Sequence, residues 1–184
     1  MTLIELMVAL AIGSFLMIGA ITVFMQSRTT FRINESVARL QENARFAIDI
    51  LEPDVRMAQY FGLMTRPVRI QGRARPTDPA AFAIANDCGT NWSVNVASSV
   101  DGTNNGYAWL CAAFGTAQPT SDTLAIRRVS EDPVAVPEGA TLYVQTARVQ
   151  ESQLFVGPAI PAGFVPGTSQ THQLVVSGSY VSGN

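Results

Sequence analysis

Apolar and polar positions divide this chain into three stretches with different rhythms. Residues 6–25 form a run of 20 in which only Ser14 and Thr22 are polar, and the sole charge before it is Glu5. A helix rises about 1.5 Å per residue, so such a run spans about 30 Å, the thickness of a bilayer's hydrocarbon core. From Arg28 the rhythm changes. Ile33, Val37, Leu40, Ala44, Ile48, Leu51, Val55 and Ala58 recur at spacings of three or four, with Arg32, Glu35, Arg39, Glu42, Arg45 and Asp49 largely off that stripe. The pattern predicts an amphipathic helix, with Glu35 and Arg39 as a favourable (i, i+4) pair. The stripe is too brief to prefer a coiled coil, so a sheet in the same chain is its expected cover. Pro53 should kink or interrupt the helix, and Gly62 followed by Arg66-Pro67 should end it.

Residues 63–120 have little periodicity and many turn formers: Arg75-Pro76, Asp78-Pro79, Asp101-Gly102 and Asn104-Asn105-Gly106. Trp92 and Trp109 flank the Gly/Asn tract and are expected to pin it to the core. Strand signals dominate from residue 121, over Thr123–Val129, 141–149, Gln153–Val156 and 173–181. Residues 157–167, with three prolines, read as a long loop. The expected fold class is therefore α+β: a long N-terminal helix packed on an antiparallel β-sheet domain. Residues 1–27 form its apolar half, 28–62 its amphipathic half, and 63–184 a loop-rich β domain.

Charge sharpens this division. Residues 28–75 hold nine arginines against five acids, and 76–184 hold three against eight. All twelve basic residues are arginine, which excludes a fibre cross-linked through lysine isopeptide bonds. Cys88 and Cys111 belong to no CxxC pair and lie far in sequence from His172, the chain's one histidine, so neither a zinc site nor a thiol catalyst is expected. In an oxidising compartment they would form a disulfide closing a loop of about 24 residues, stabilising by roughly 3 kcal/mol. The alternative is two separate buried thiols.

The apolar start lacks the basic n-region and short apolar core of a secretory signal, and it runs directly into the next helical pattern. It reads as a retained segment. Arg28 and Arg32 flank its C-terminal end, so export of the following domain would imply a basic leader cut away before Met1. An unpaired carboxylate in hydrocarbon costs about 2.5–3.5 kcal/mol, and a cation about 4 Å away returns about 4 kcal/mol at an effective dielectric near 20. These nearly cancel, so Glu5 matters chiefly for what it pairs with. The α-amine of Met1, in its own chain or a neighbour's, is the natural partner. Snorkelling to the headgroup level is the plainer alternative. Gly13 and Gly19 each weaken the helix by about 1 kcal/mol relative to alanine, or else permit close helix packing.

Thr2-Leu3-Ile4-Glu5-Leu6-Met7-Val8-Ala9-Leu10 resembles the mature N-terminus of type IV pilins and of the related type II secretion pseudopilins. The resemblance implies cleavage before Met1, N-methylation of Met1, and pairing of Glu5 with a neighbouring subunit's N-terminus during assembly. Met1 stands where the family usually has phenylalanine. Gly13 and Gly19 would be where the helix loses regularity in the filament. Residues 39–49 and 54–62, with Arg56-Met57-Ala58-Gln59-Tyr60, are similar to the PilW-like minor pilins, as is 121–127. Those proteins are longer, and their sheet continues past the point matching 177–181. An unpaired sheet edge, completed by a second pilin chain or a neighbouring subunit, is therefore expected.

Other motifs carry less. Asp101-Gly102-Thr103-Asn104-Asn105-Gly106 lacks calcium-loop spacing and reads as a turn. Asn91-Trp92-Ser93 and Asn34-Glu35-Ser36 are glycosylation sequons. Arg66, Arg69, Arg73 and Arg75 read as a solvated or subunit-pairing face in preference to a nucleic-acid contact. No constellation for acid–base or nucleophilic chemistry is evident, and no cofactor, metal or enzymatic activity is expected. The sequence points to a subunit of a homo-oligomeric helical filament, held in the bacterial inner membrane before assembly and extracellular afterwards. A membrane-anchored binding module is the reading from another class.

Overall fold

The structure, a computed structural model, describes residues 2–183 and falls into two compact units, Met1–Glu52 and Pro53–Asn184. Helix α1 (Leu3–Arg56) is 54 residues long and unbroken. At about 1.5 Å per residue it measures about 80 Å. Gly13 and Gly19 are helical, and Pro53 sits in the last turn instead of interrupting an earlier one. The helix ends at Arg56, before the expected Gly62. Gln59 takes a left-handed φ of 69°, and Tyr60 N–H donates to Met57 O at 2.9 Å, so the chain closes into a turn there. The expected Arg39–Glu35 pair forms at 2.7 Å on the exposed surface.

No residue of α1 is buried. Along the amphipathic stripe Ile33, Val37, Leu40, Ala44 and Ile48 are exposed and Leu51 is half-buried. In the second unit the loop-rich segment supplies a covering layer of its own.

That unit is built on a five-stranded antiparallel sheet of order β1-β2-β5-β3-β4, formed by β1 (Val100–Thr103), β2 (Thr123–Val129), β3 (Leu142–Ala147), β4 (Gln153–Val156) and β5 (Ser169–Tyr180). Val129 pairs with Leu174, and Val144 pairs with both His172 and Leu154, which puts these five side chains on one face. Val129, Leu174, Val144 and Leu154 pack there with Phe61, Ile70, Ala74, Val94 and Val96. Backbone bonds tie the layer down: Val129 N–H to Tyr60 O at 2.9 Å, Leu154 N–H to Gln71 O at 2.9 Å, and Gln71 N–H to Ser152 O at 2.8 Å.

The turn expected at Asp101-Gly102 is instead part of edge strand β1. Gly102 packs so closely on the Thr123 carbonyl that any side chain there would collide with it, so the turn former is a packing requirement. The turn itself falls at Asn105, whose φ is 58°. Strand β5 divides its partners: Leu174–Tyr180 pairs with β2, while 169–173 pairs with β3. Among the described residues no strand lies beside 174–180 on the β3 side, so that stretch of β5 is an open edge.

Candidate assembly site

The N-terminal turn is organised by Thr2 and Glu5. Thr2 is the residue before the first helical position, and its N–H donates to Glu5 Oε2 at 2.9 Å. Glu5 N–H donates in return to Thr2 Oγ1 at 3.4 Å. This reciprocal arrangement is a capping box, which satisfies two of the helix's orphan donors and places a negative charge at the positive end of the helix dipole. Its signature, T-x-x-E, is legible in the sequence, and it gives Glu5 a partner within its own turn. Met1, the expected partner of Glu5 and the expected site of N-methylation, lies outside the described residues.

Beyond the cap the helix presents apolar side chains and no loose polar ones. Ser14 Oγ donates to Ala11 O at 2.8 Å, and Thr22 Oγ1 to Ile18 O at 2.6 Å, so both hydroxyls are satisfied by their own backbone. Leu10, Phe15, Leu16, Met17, Ile21 and Phe24 are all exposed. Arg28 marks the end of the run, its guanidinium 5.7 Å from the Phe24 ring. By length and composition this helix can cross a membrane.

In the second unit Cys88 and Cys111 form a disulfide. Leu110 N–H, beside it, donates to Cys88 O at 2.7 Å. Trp92 and Trp109 meet edge to face at 5.5 Å, and Tyr107 and Tyr180 continue the aromatic series. Both tryptophans thus hold the loop to the sheet, Trp109 by lying on Gly178 of β5.

Three residues have structural roles that motif reading missed. Arg127 is fully buried beneath this loop, its Nε donating to Trp92 O at 2.7 Å and a terminal nitrogen to Ser98 O at 2.8 Å, with the Trp92 ring 5.0 Å away. Burial pulls its pKa below the ordinary arginine value, against the opposing pull of Asp101 and Asp87. Asn91, the first residue of a sequon, is buried with its amide nitrogen bonded to Arg75 O, Asp78 O and Pro79 O and its oxygen to Ala81 N–H, which leaves it unavailable to a glycan in the folded state. Asp87 accepts from Trp92 N–H, Ser93 N–H and the Ser93 hydroxyl. An arginine at a buried-face strand position was the visible signal for the first of these. For the other two there was none beyond the side chain's capacity to bond the backbone.

His172 is buried, with Nδ1 2.8 Å from Ser130 O, and Tyr60 meets it edge to face. No group of three or more metal-ligating side chains occurs among the described residues. The sequence matches no protein-family model, and no curated protein or solved structure matches it either.

Proposed function

We propose that this chain is a structural subunit of a type IV pilus-like extracellular filament, assembling through α1. The observation that supports this most is the exposure of the helix: apolar all round in its first half, striped in its second, and buried nowhere along Leu3–Arg56. Each large apolar side chain gains about 1.5–3 kcal/mol on leaving water, so so much unburied apolar surface calls for a membrane before assembly and for neighbouring helices afterwards. Glu5 in the fifth position supplies the register. The disulfide suits a domain that faces an oxidising compartment outside the cytoplasm. The open edge of β5 is where a second pilin chain or a neighbouring subunit adds its strand.

The Arg56-Met57-Ala58-Gln59-Tyr60 run favours one variant of this reading, a minor pilin that primes or tips the fibre. A type II secretion pseudopilin would use the same N-terminal register. A membrane-anchored binding module would not need Glu5 at all. Glu5→Gln separates these classes, because glutamine serves a capping box as well as glutamate does, yet carries no charge. The expected result is an intact helix, normal membrane insertion and loss of the subunit from filaments. Wild-type incorporation by Glu5→Gln would mean that the Glu5 charge does not direct assembly, and a chain that stays in the membrane with or without the substitution would be an anchored module.

Abundance is the companion measurement, by quantitative peptide mass spectrometry on sheared filaments, including the N-terminal peptide. A dominant signal starting at N-methylated Met1 identifies the main fibre subunit, and a trace with the same start a minor one. Absence from filaments overturns the proposal.

A further inference from the structure

The basic cluster after the helix is sorted by the structure into arginines with protein partners and arginines without. Arg69 N–H donates to Arg66 O at 3.0 Å, closing a short 3-10 turn (Pro67–Arg69) held between buried Pro67 and buried Ile70. Arg66, the extended residue before the turn, and Arg69, its last residue, are both exposed and line the same cleft. Arg148 arrives from a different part of the sequence, just after β3, where its N–H donates to Thr168 O at 3.2 Å. The three arginines line one cleft of about 480 Å³ together with Thr65, Gln150 and Glu151.

None of the three guanidinium groups has a hydrogen bond or ion pair among the described residues, and all three residues are exposed. The contrast with their neighbours is direct. Arg73 donates to Ile70 O, Arg127 to two carbonyls, and Arg128 pairs with Asp54 at 2.9 Å. The cleft's one carboxylate, Glu151, is already accepting from Gln71 Nε2 at 3.0 Å. Residues 53–184 hold eight arginines and nine acids, so three positive charges against one negative is a local excess in a unit that is acidic as a whole.

Like charges that outnumber their counter-charges repel, and a planar guanidinium fork matches the oxygens of a tetrahedral anion. The volume lies in the range of ordinary ligand sites. No aromatic side chain lines the cleft among the described residues, so base stacking contributes nothing and recognition rests on the charged group. We propose that this cleft binds a phosphate- or sulfate-type oxyanion, gripped by Arg66 and Arg69 from the turn and by Arg148 from the β3–β4 connection. This site does not depend on the filament reading.

The test titrates the full chain, in micelles of an uncharged detergent, with pyrophosphate and separately with a sulfated hexasaccharide, followed by calorimetry. Saturable binding of at least one probe is expected, weakened about tenfold by each of Arg66→Gln, Arg69→Gln and Arg148→Gln. Arg75→Gln, outside the cleft, should leave it unchanged. Binding of pyrophosphate alone identifies a free-anion site, and binding of the saccharide alone an ester carried on a larger ligand. Near-UV circular dichroism checks that each variant keeps its fold. No saturable binding of either probe, or equal weakening by Arg75→Gln, overturns the proposal.

Discussion

Arg127 shows how one residue can hold a loop to a sheet. Its two donated bonds stretch 35 and 29 residues back in sequence, to Trp92 O and Ser98 O. Lysine keeps the charge but not the fork, so Arg127→Lys should cost about 2 kcal/mol by urea denaturation. Arg127→Met leaves both carbonyls orphaned and should cost more; a methionine variant as stable as wild type would mean the guanidinium contributes nothing net. Gly178 is the complementary case. A Cβ there would meet the Trp109 ring at 2.8 Å, so Gly178→Val should push Trp109 off the sheet and change its fluorescence, with a loss of about 1–3 kcal/mol. The sequence showed the conflict at Arg127, because alternation along Thr123–Val129 sets it beside Ala125 and Val129. It could not show which carbonyls resolve that conflict, since they come from a stretch without periodicity. Nothing distinguished Gly178 from a merely weak strand position.

At the scale of elements, legibility followed rhythm. β2 has the bounds that its pattern predicted, Thr123–Val129, whereas Gln153–Val156 carried a strand signal too weak to place it in the sheet that it joins as β4. The helix is continuous as its repeats required, and its end came early because turn chemistry at Gln59 acted before Gly62 could. β1 was hidden because Asp101 and Gly102 are turn formers by propensity. The covering layer at 61–96 was hidden for a related reason: Phe61, Ile70, Ala74, Val94 and Val96 follow no period, being held by backbone bonds to strand edges instead of by a regular element. The disulfide was legible from two cysteines and a compartment argument. Replacing Cys88 and Cys111 together by serine should lower stability by about 3 kcal/mol, seen as an earlier urea midpoint in the domain's tryptophan fluorescence, with the helical far-UV signal of α1 retained.

The whole chain pairs an apolar helix, unburied in every residue, with a disulfide-closed sheet domain that has its own core. In each unit acids exceed arginines by one, so net charge gives neither unit a bias toward the other. The exposed stripe makes a prediction that belongs at this scale. Leu40→Ser should change the domain's urea midpoint by no more than about 0.5 kcal/mol, since Leu40 is exposed, while lowering incorporation into filaments. A large loss of domain stability would mean that the stripe is needed for folding of the single chain. What the sequence conveyed here was the division into parts, through changes in rhythm and charge. What it withheld was the layer at 61–96 that covers one face of the sheet.

The division of β5 between two partners also fixes an order of events. β1 with β2, and β3 with β4, pair within their own stretches of sequence, but among the described residues no backbone ladder joins these two pairs until β5, the last of the five in chain order, has been synthesised. Until then Val129, Val144 and Leu154 wait without Leu174, and the layer at 61–96 has only part of a floor to settle on. A sheet closed by such late, distant contacts forms slowly. If the domain is exported as the proposed function requires, this unfinished form is the one that a translocation channel would have to pass.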